Sequence, residues 1–62
     1  MTASPRVVSA DDNSITLRVK NDNQSAARKE ASDYCAERNR EARLRNVTPA
    51  RDNNTVLTFS CV

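Results

Sequence analysis

Ser25-Ala26-Ala27-Arg28-Lys29-Glu30-Ala31-Ser32-Asp33-Tyr34-Cys35-Ala36-Glu37-Arg38 is the stretch on which the fold turns. Within it Ala27, Ala31, Tyr34, Cys35 and Arg38 recur at three- and four-residue steps, with charged residues between them. That spacing places the side chains on one face of a helix. The stripe is narrow and built largely from small residues, so it predicts a helix lying close against a sheet. Asn21-Asp22-Asn23 precedes it and offers an N-cap at Asp22 or Asn23. Asn39 follows it and can take the left-handed C-cap position that Gly usually fills, in a chain with no Gly.

Outward from this helix the period changes to two. Upstream, Ile15, Leu17 and Val19 alternate with Thr16, Arg18 and Lys20, the signature of a half-buried strand. Val7 and Val8 start a β-prone run, and Ala10-Asp11-Asp12-Asn13-Ser14 separates the two runs with turn-forming side chains, so they predict a hairpin. Downstream, Ala42 and Leu44 alternate with Arg43 and Arg45, which predicts a third strand over Glu41–Val47. Thr48 to Asn54 reads as a polar connection punctuated by Pro and Asn. In Thr55–Cys61, Leu57, Phe59 and Cys61 form one face; Val56, Thr58 and Ser60 form the other. The order β-β-α-β-β predicts an α+β domain over residues 6–62, one helix packed on an antiparallel-rich sheet, behind a loose leader at residues 1–5. The alternation leaves the strand order open.

A core of this size is thin. The chain has 62 residues, 37% of them apolar, with no Trp and with Tyr34 and Phe59 as its aromatics. Such a domain buries only about 60% of its unfolded surface, and small scaffolds of this kind use a staple. Cys35 shares the helical stripe of Ala27 and Ala31, and Cys61 shares the strand face of Leu57 and Phe59. Both side chains therefore point into one helix–sheet interface, and two cysteines allow one pairing within the chain. Closing that loop stabilises the fold by roughly 3–4 kcal/mol. The expected surroundings of the bridge are Leu17, Ala31, Leu44, Leu57 and Phe59.

A bridge implies a compartment outside the reducing cytosol. Met1-Thr2-Ala3-Ser4-Pro5 lacks the basic-then-apolar order of a signal peptide. Two accounts fit: a mature domain whose targeting segment is not present in this chain, or a cytosolic protein with two free thiols. The first is preferred, because Cys pairing in very small domains follows oxidising compartments.

Ala31-x-x-Tyr34-Cys35-Ala36-x-x-Asn39-Arg40-x-Ala42-x-Leu44, followed by Phe59-Ser60-Cys61, resembles a group of small exported proteins and lipoproteins of Gram-negative bacteria. In that group a helix carries A-x-x-x-A-x-x-(H/Y)-C and the chain ends with an aromatic-x-Cys strand. The resemblance spans residues 27–61, with Asn39-Arg40 standing where a Gly-Lys turn is common. It implies a periplasmic or envelope location and a Cys35–Cys61 bridge. It implies no reaction, since the group has no assigned activity.

The chemistry available to the chain is narrow. Thioredoxin-like pairs sit at a helix N-terminus, whereas Cys35 falls near the predicted C-terminus, where the dipole opposes a thiolate. Structural zinc takes four ligands, mostly Cys and His, and this chain has two Cys and no His. Without His, a Ser or Cys nucleophile lacks its usual base. Asp11-Asp12 reads as loop chemistry. No catalytic, metal-binding or cofactor-binding residue is expected, and no stretch is long and apolar enough for a membrane span. The triplets Asn23-Gln24-Ser25, Asn46-Val47-Thr48 and Asn53-Asn54-Thr55 would matter only in a eukaryotic secretory route.

One surface signal stands out. Arg38, Arg40, Arg43, Arg45 and Arg51 crowd a short stretch, and guanidinium groups suit phosphate oxygens. Glu37, Glu41 and Asp52 are interleaved with them, net charge is only +2, and no exposed aromatic is expected for base stacking. These features disfavour nucleic acid and fit a charged, edge-protecting face. The resulting expectation is a non-enzymatic, disulfide-stabilised periplasmic or envelope domain, monomeric in preference to homodimeric, acting through protein or surface contacts. The alternative is a small cytosolic or phage-type binding module with reduced cysteines and an Arg-rich face for an anionic partner.

Overall fold

The computed structural model describes residues 5–62. Strands β1 (Arg6–Ala10) and β2 (Ser14–Lys20) are followed by a 3-10 turn (Asn21–Asn23) and helix α1 (Gln24–Ala36); strands β3 (Ala42–Ala50) and β4 (Asn54–Cys61) complete the chain. The four strands form one sheet in the order β1-β2-β4-β3, every neighbouring pair antiparallel. This is the α+β, β-β-α-β-β layout expected from the alternation. Of the leader expected at residues 1–5, only Pro5 lies within the described residues.

Helix α1 covers one face of the sheet. Ala27 and Ala31 meet Ile15, Leu17, Val19, Leu57 and Phe59 in the core, with Tyr34 and Ala42 packed against its margin. Alanine at both contact positions removes the side-chain bulk that would hold the helix off. The Cys35–Cys61 disulfide closes this interface, with both residues buried and Cα atoms 5.3 Å apart. That separation lies inside the window of roughly 4.4–6.8 Å that the bridge requires.

The helix ends as the sequence anticipates. Asn23 takes the N-cap position, and Asn39 has φ of 58°. The Asn39 N–H donates to the Ala36 carbonyl at 2.9 Å, and the Arg40 N–H donates to the Cys35 carbonyl at 3.0 Å. These are the paired bonds of a Schellman end, with Asn in the place of Gly. A β-branched residue pays a steric penalty in this left-handed conformation. Asn39→Val is therefore expected to lower stability by about 1–2 kcal/mol in urea unfolding, while Asn39→Gly stays within about 0.5 kcal/mol of the parent. Equal midpoints for the Val and Gly variants would refute this role.

Three features differ from expectation. Strand β3 runs through Pro49 to Ala50, and the connection shrinks to Arg51-Asp52-Asn53. Pro49 is tolerated because β3 is an edge strand, where a missing N–H need not leave a ladder bond unmade. Asp52 and Asn53 have φ of 60° and 59°, positive at both central positions as in a type I′ turn. The Asn54 N–H closes the turn on the Arg51 carbonyl at 3.2 Å. Second, Leu44 is not in the core. It is 38% exposed and Val47 is 54% exposed, because β3 is an edge strand with a neighbouring strand on one side only. Third, the register shifts between Val7 and Ser9 in β1 and between Leu44 and Asn46 in β3, which makes Val8 and Arg45 bulge residues.

Candidate interaction face

The register dictates which strand side chains look away from α1. With Ile15, Leu17 and Val19 in the core, β2 turns Ser14, Thr16, Arg18 and Lys20 to the open face. Opposite them in β4 stand Ser60, Thr58, Val56 and Asn54. Arg6 and Ser9 of β1 pair with Arg18 and Thr16. On the far side, Arg43 pairs with Ser60, Asn46 with Thr58 and Thr48 with Val56. Bulged Arg45 joins this face, its Nη1 donating to Ser60 Oγ at 3.2 Å. The Thr16 and Thr58 hydroxyls meet at 3.2 Å in the middle of the sheet.

Charge is segregated by this arrangement. Every acidic residue lies outside the strands: Asp11 and Asp12 in the β1–β2 turn, Asp22 in the 3-10 turn, Glu30 and Asp33 in α1, Glu37 and Glu41 before β3, and Asp52 in the β3–β4 turn. Arg6, Arg18, Lys20, Arg43 and Arg45, half of the ten basic residues, belong to the strands and are exposed. A net charge of +2 thus conceals a cationic plane bordered by acidic turns. Arg6 and Arg18 even oppose each other directly, a like-charge placement that destabilises a sheet. Among the described residues the ion pairs are Lys29–Asp33 at 3.7 Å and Arg38–Glu37 at 3.9 Å, neither of them on this face. Lys20 Nζ donates to the Asp52 carbonyl at 3.0 Å.

The five arginines singled out in the sequence are only partly brought together. Arg43 and Arg45 share the open face. Arg38 instead lies over the Tyr34 ring, 3.9 Å from its centroid, and donates to the Tyr34 carbonyl at 3.0 Å, at the end of the helix. Arg40 Nη1 donates to Asn13 Oδ1 at 2.7 Å and so ties the post-helix segment to the first hairpin. Arg51 stands in the β3–β4 turn. Arg6, Arg18 and Lys20 were not anticipated as part of a shared surface. Arg18 and Lys20 are visible in the sequence as the polar side of an amphipathic strand, but only the strand order sets them in one plane with Arg43 and Arg45.

The Asp11-Asp12 pair has a structural explanation for its first member. Asp11 Oδ1 accepts the backbone N–H groups of Asn13 at 2.8 Å and Ser14 at 2.9 Å, and the Ser14 hydroxyl at 3.2 Å. The Asn13 N–H, above all, holds the Asp11 carboxyl below the usual aspartate range. The Tyr34 hydroxyl donates to the Asp11 carbonyl at 2.7 Å, binding the helix to the same turn. Among the described residues no group of three or more His, Cys, Asp or Glu is placed to hold a metal ion. No helix among them is long and apolar enough to cross a membrane. Compared with family models, curated proteins and solved structures, the chain matches none of them.

Proposed function

We propose that the chain is a non-enzymatic contact domain of the bacterial envelope, periplasmic or the soluble part of a lipoprotein, working as a monomer through its surfaces. The observation carrying this reading is the buried Cys35–Cys61 bridge, which spans the helix–sheet interface of a domain with few other means of stabilising itself. A thiol pair buried in this way is suited to holding structure, and such bridges persist where the surroundings are oxidising. The resemblance of Ala31 through Leu44 and of Phe59-Ser60-Cys61 to exported Gram-negative proteins supports the same compartment. The cationic open face, in turn, supports action by contact.

Intact-mass measurement on protein purified without reductant from its native cells tests the compartment. The expected value lies two hydrogens below the reduced mass, about 2 Da, because one S–S bond replaces two S–H bonds. A folded sample in which both cysteines are free and readily alkylated would favour the cytosolic alternative instead.

A further inference from the structure

We propose that the open sheet face docks on the anionic phospholipid headgroups of a bilayer. Its basis is the acid-free plane that carries Arg6, Arg18, Lys20, Arg43 and Arg45. Arg6 and Arg18 are set opposite each other at a cost to the sheet. An anion above the pair relieves that repulsion, and local departures of this kind concentrate where a protein meets its partner.

The spread of the cations selects the shape of that partner. Arg18 and Arg43 are two strands apart across the sheet and four residues apart along it. At about 4.8 Å between strands and about 3.4 Å per residue, their backbones lie about 17 Å apart. One phosphate cannot bridge that distance, whereas a flat array of headgroups meets all five cations together. Guanidinium groups match phosphate oxygens in forked geometry, and the hydroxyls of Thr16, Thr58 and Ser60 add neutral donors between the charged corners. Both aromatics belong to the helix side, Phe59 in the core and Tyr34 at its margin. Nucleic-acid bases therefore find no stacking platform on this plane. The inference rests on the envelope reading for the availability of anionic lipid, and it names the surface through which that contact is made.

The test is sedimentation with vesicles of mixed phosphatidylglycerol and phosphatidylcholine, against phosphatidylcholine alone. The disulfide-bonded chain is expected to bind only the mixed vesicles, with binding that fades as salt shortens the Debye length. Each surface-facing cation contributes about fivefold to partitioning, so Arg18→Thr/Arg43→Thr lowers it about 25-fold. Arg28→Gln/Lys29→Gln removes the same charge from the helix side and is expected to change binding less than about twofold. Melting curves confirm that both variants remain folded. Equal losses in the two variants would overturn the proposal, as would absence of binding to mixed vesicles. Tighter binding of duplex DNA or polyglutamate at the same salt would overturn it in favour of another polyanion. Intact mass is read on the same sample: a missing bridge sinks the envelope reading, while an intact bridge without vesicle binding sinks only this inference.

Discussion

A Cys35→Ala/Cys61→Ala variant is expected to melt about 15–25 °C below its parent. The bridge joins residues separated by 26 positions. Chain-entropy reasoning then assigns it about 3.5 kcal/mol, because the cross-link removes extended conformations from the unfolded state. In a domain of this length each kcal/mol moves the melting temperature by about 4–8 °C. Alanine is the suitable replacement, since both positions are buried and a serine hydroxyl would need a partner there. Thermal unfolding followed by circular dichroism reads the effect, and reduction of the parent protein should move it in the same direction. A shift smaller than about 5 °C would mean that the helix–sheet core holds without the bridge. A bridge that contributes so little would no longer require an oxidising compartment.

Leu57→Ala is expected to cost about 3 kcal/mol in urea unfolding, and Leu44→Ala less than about 1 kcal/mol. Leu57 is 1% exposed and sits between Leu17 of β2 and Val47 of β3 in the register of the sheet. The helix above it offers Ala27 and Ala31, which are too short to fill the space that a lost isobutyl group leaves. A domain this small has total stability of only about 3–9 kcal/mol. Truncation of Leu57 in the reduced protein should therefore leave little of it folded at room temperature. Equal costs at the two leucines would mean that Leu44 is packed as fully as Leu57.

These two leucines also mark the boundary of what the sequence makes legible. Each is an apolar residue in an alternating run, and alternation is a local property. Alternation marks the core faces of β2 and β4, three- and four-residue spacing marks the helix, and the residue preference of a left-handed end marks Asn39; together they place Cys35 and Cys61 at one interface. Whether a strand then lies beneath the helix or beside it depends on strand order, which no local pattern encodes. Leu44 reads like Leu57 and yet is 38% exposed. Pro49 reads as a breaker, but an outer strand has room for it. The bulge at Arg45 reverses the phase of β3, so Val47 rather than Asn46 shares the side of Leu44.

The candidate face was harder to see for the same reason. A run of arginines from Arg38 to Arg51 is conspicuous along the chain, but folding disperses it, committing Arg38 and Arg40 to the end of the helix and the first hairpin. The cations that share a plane come from three strands, and pairing of distant segments brings them together. Arg6 and Arg18 are twelve positions apart in the chain and directly opposed in the sheet.

Both borders of the sheet are interrupted, by bulged Val8 on one side and by bulged Arg45 and Pro49 on the other. An uninterrupted border is a template on which further chains can polymerise, and such irregularities spoil it. Copies crowded together at high density would consequently remain separate particles rather than knitting edge to edge into fibres.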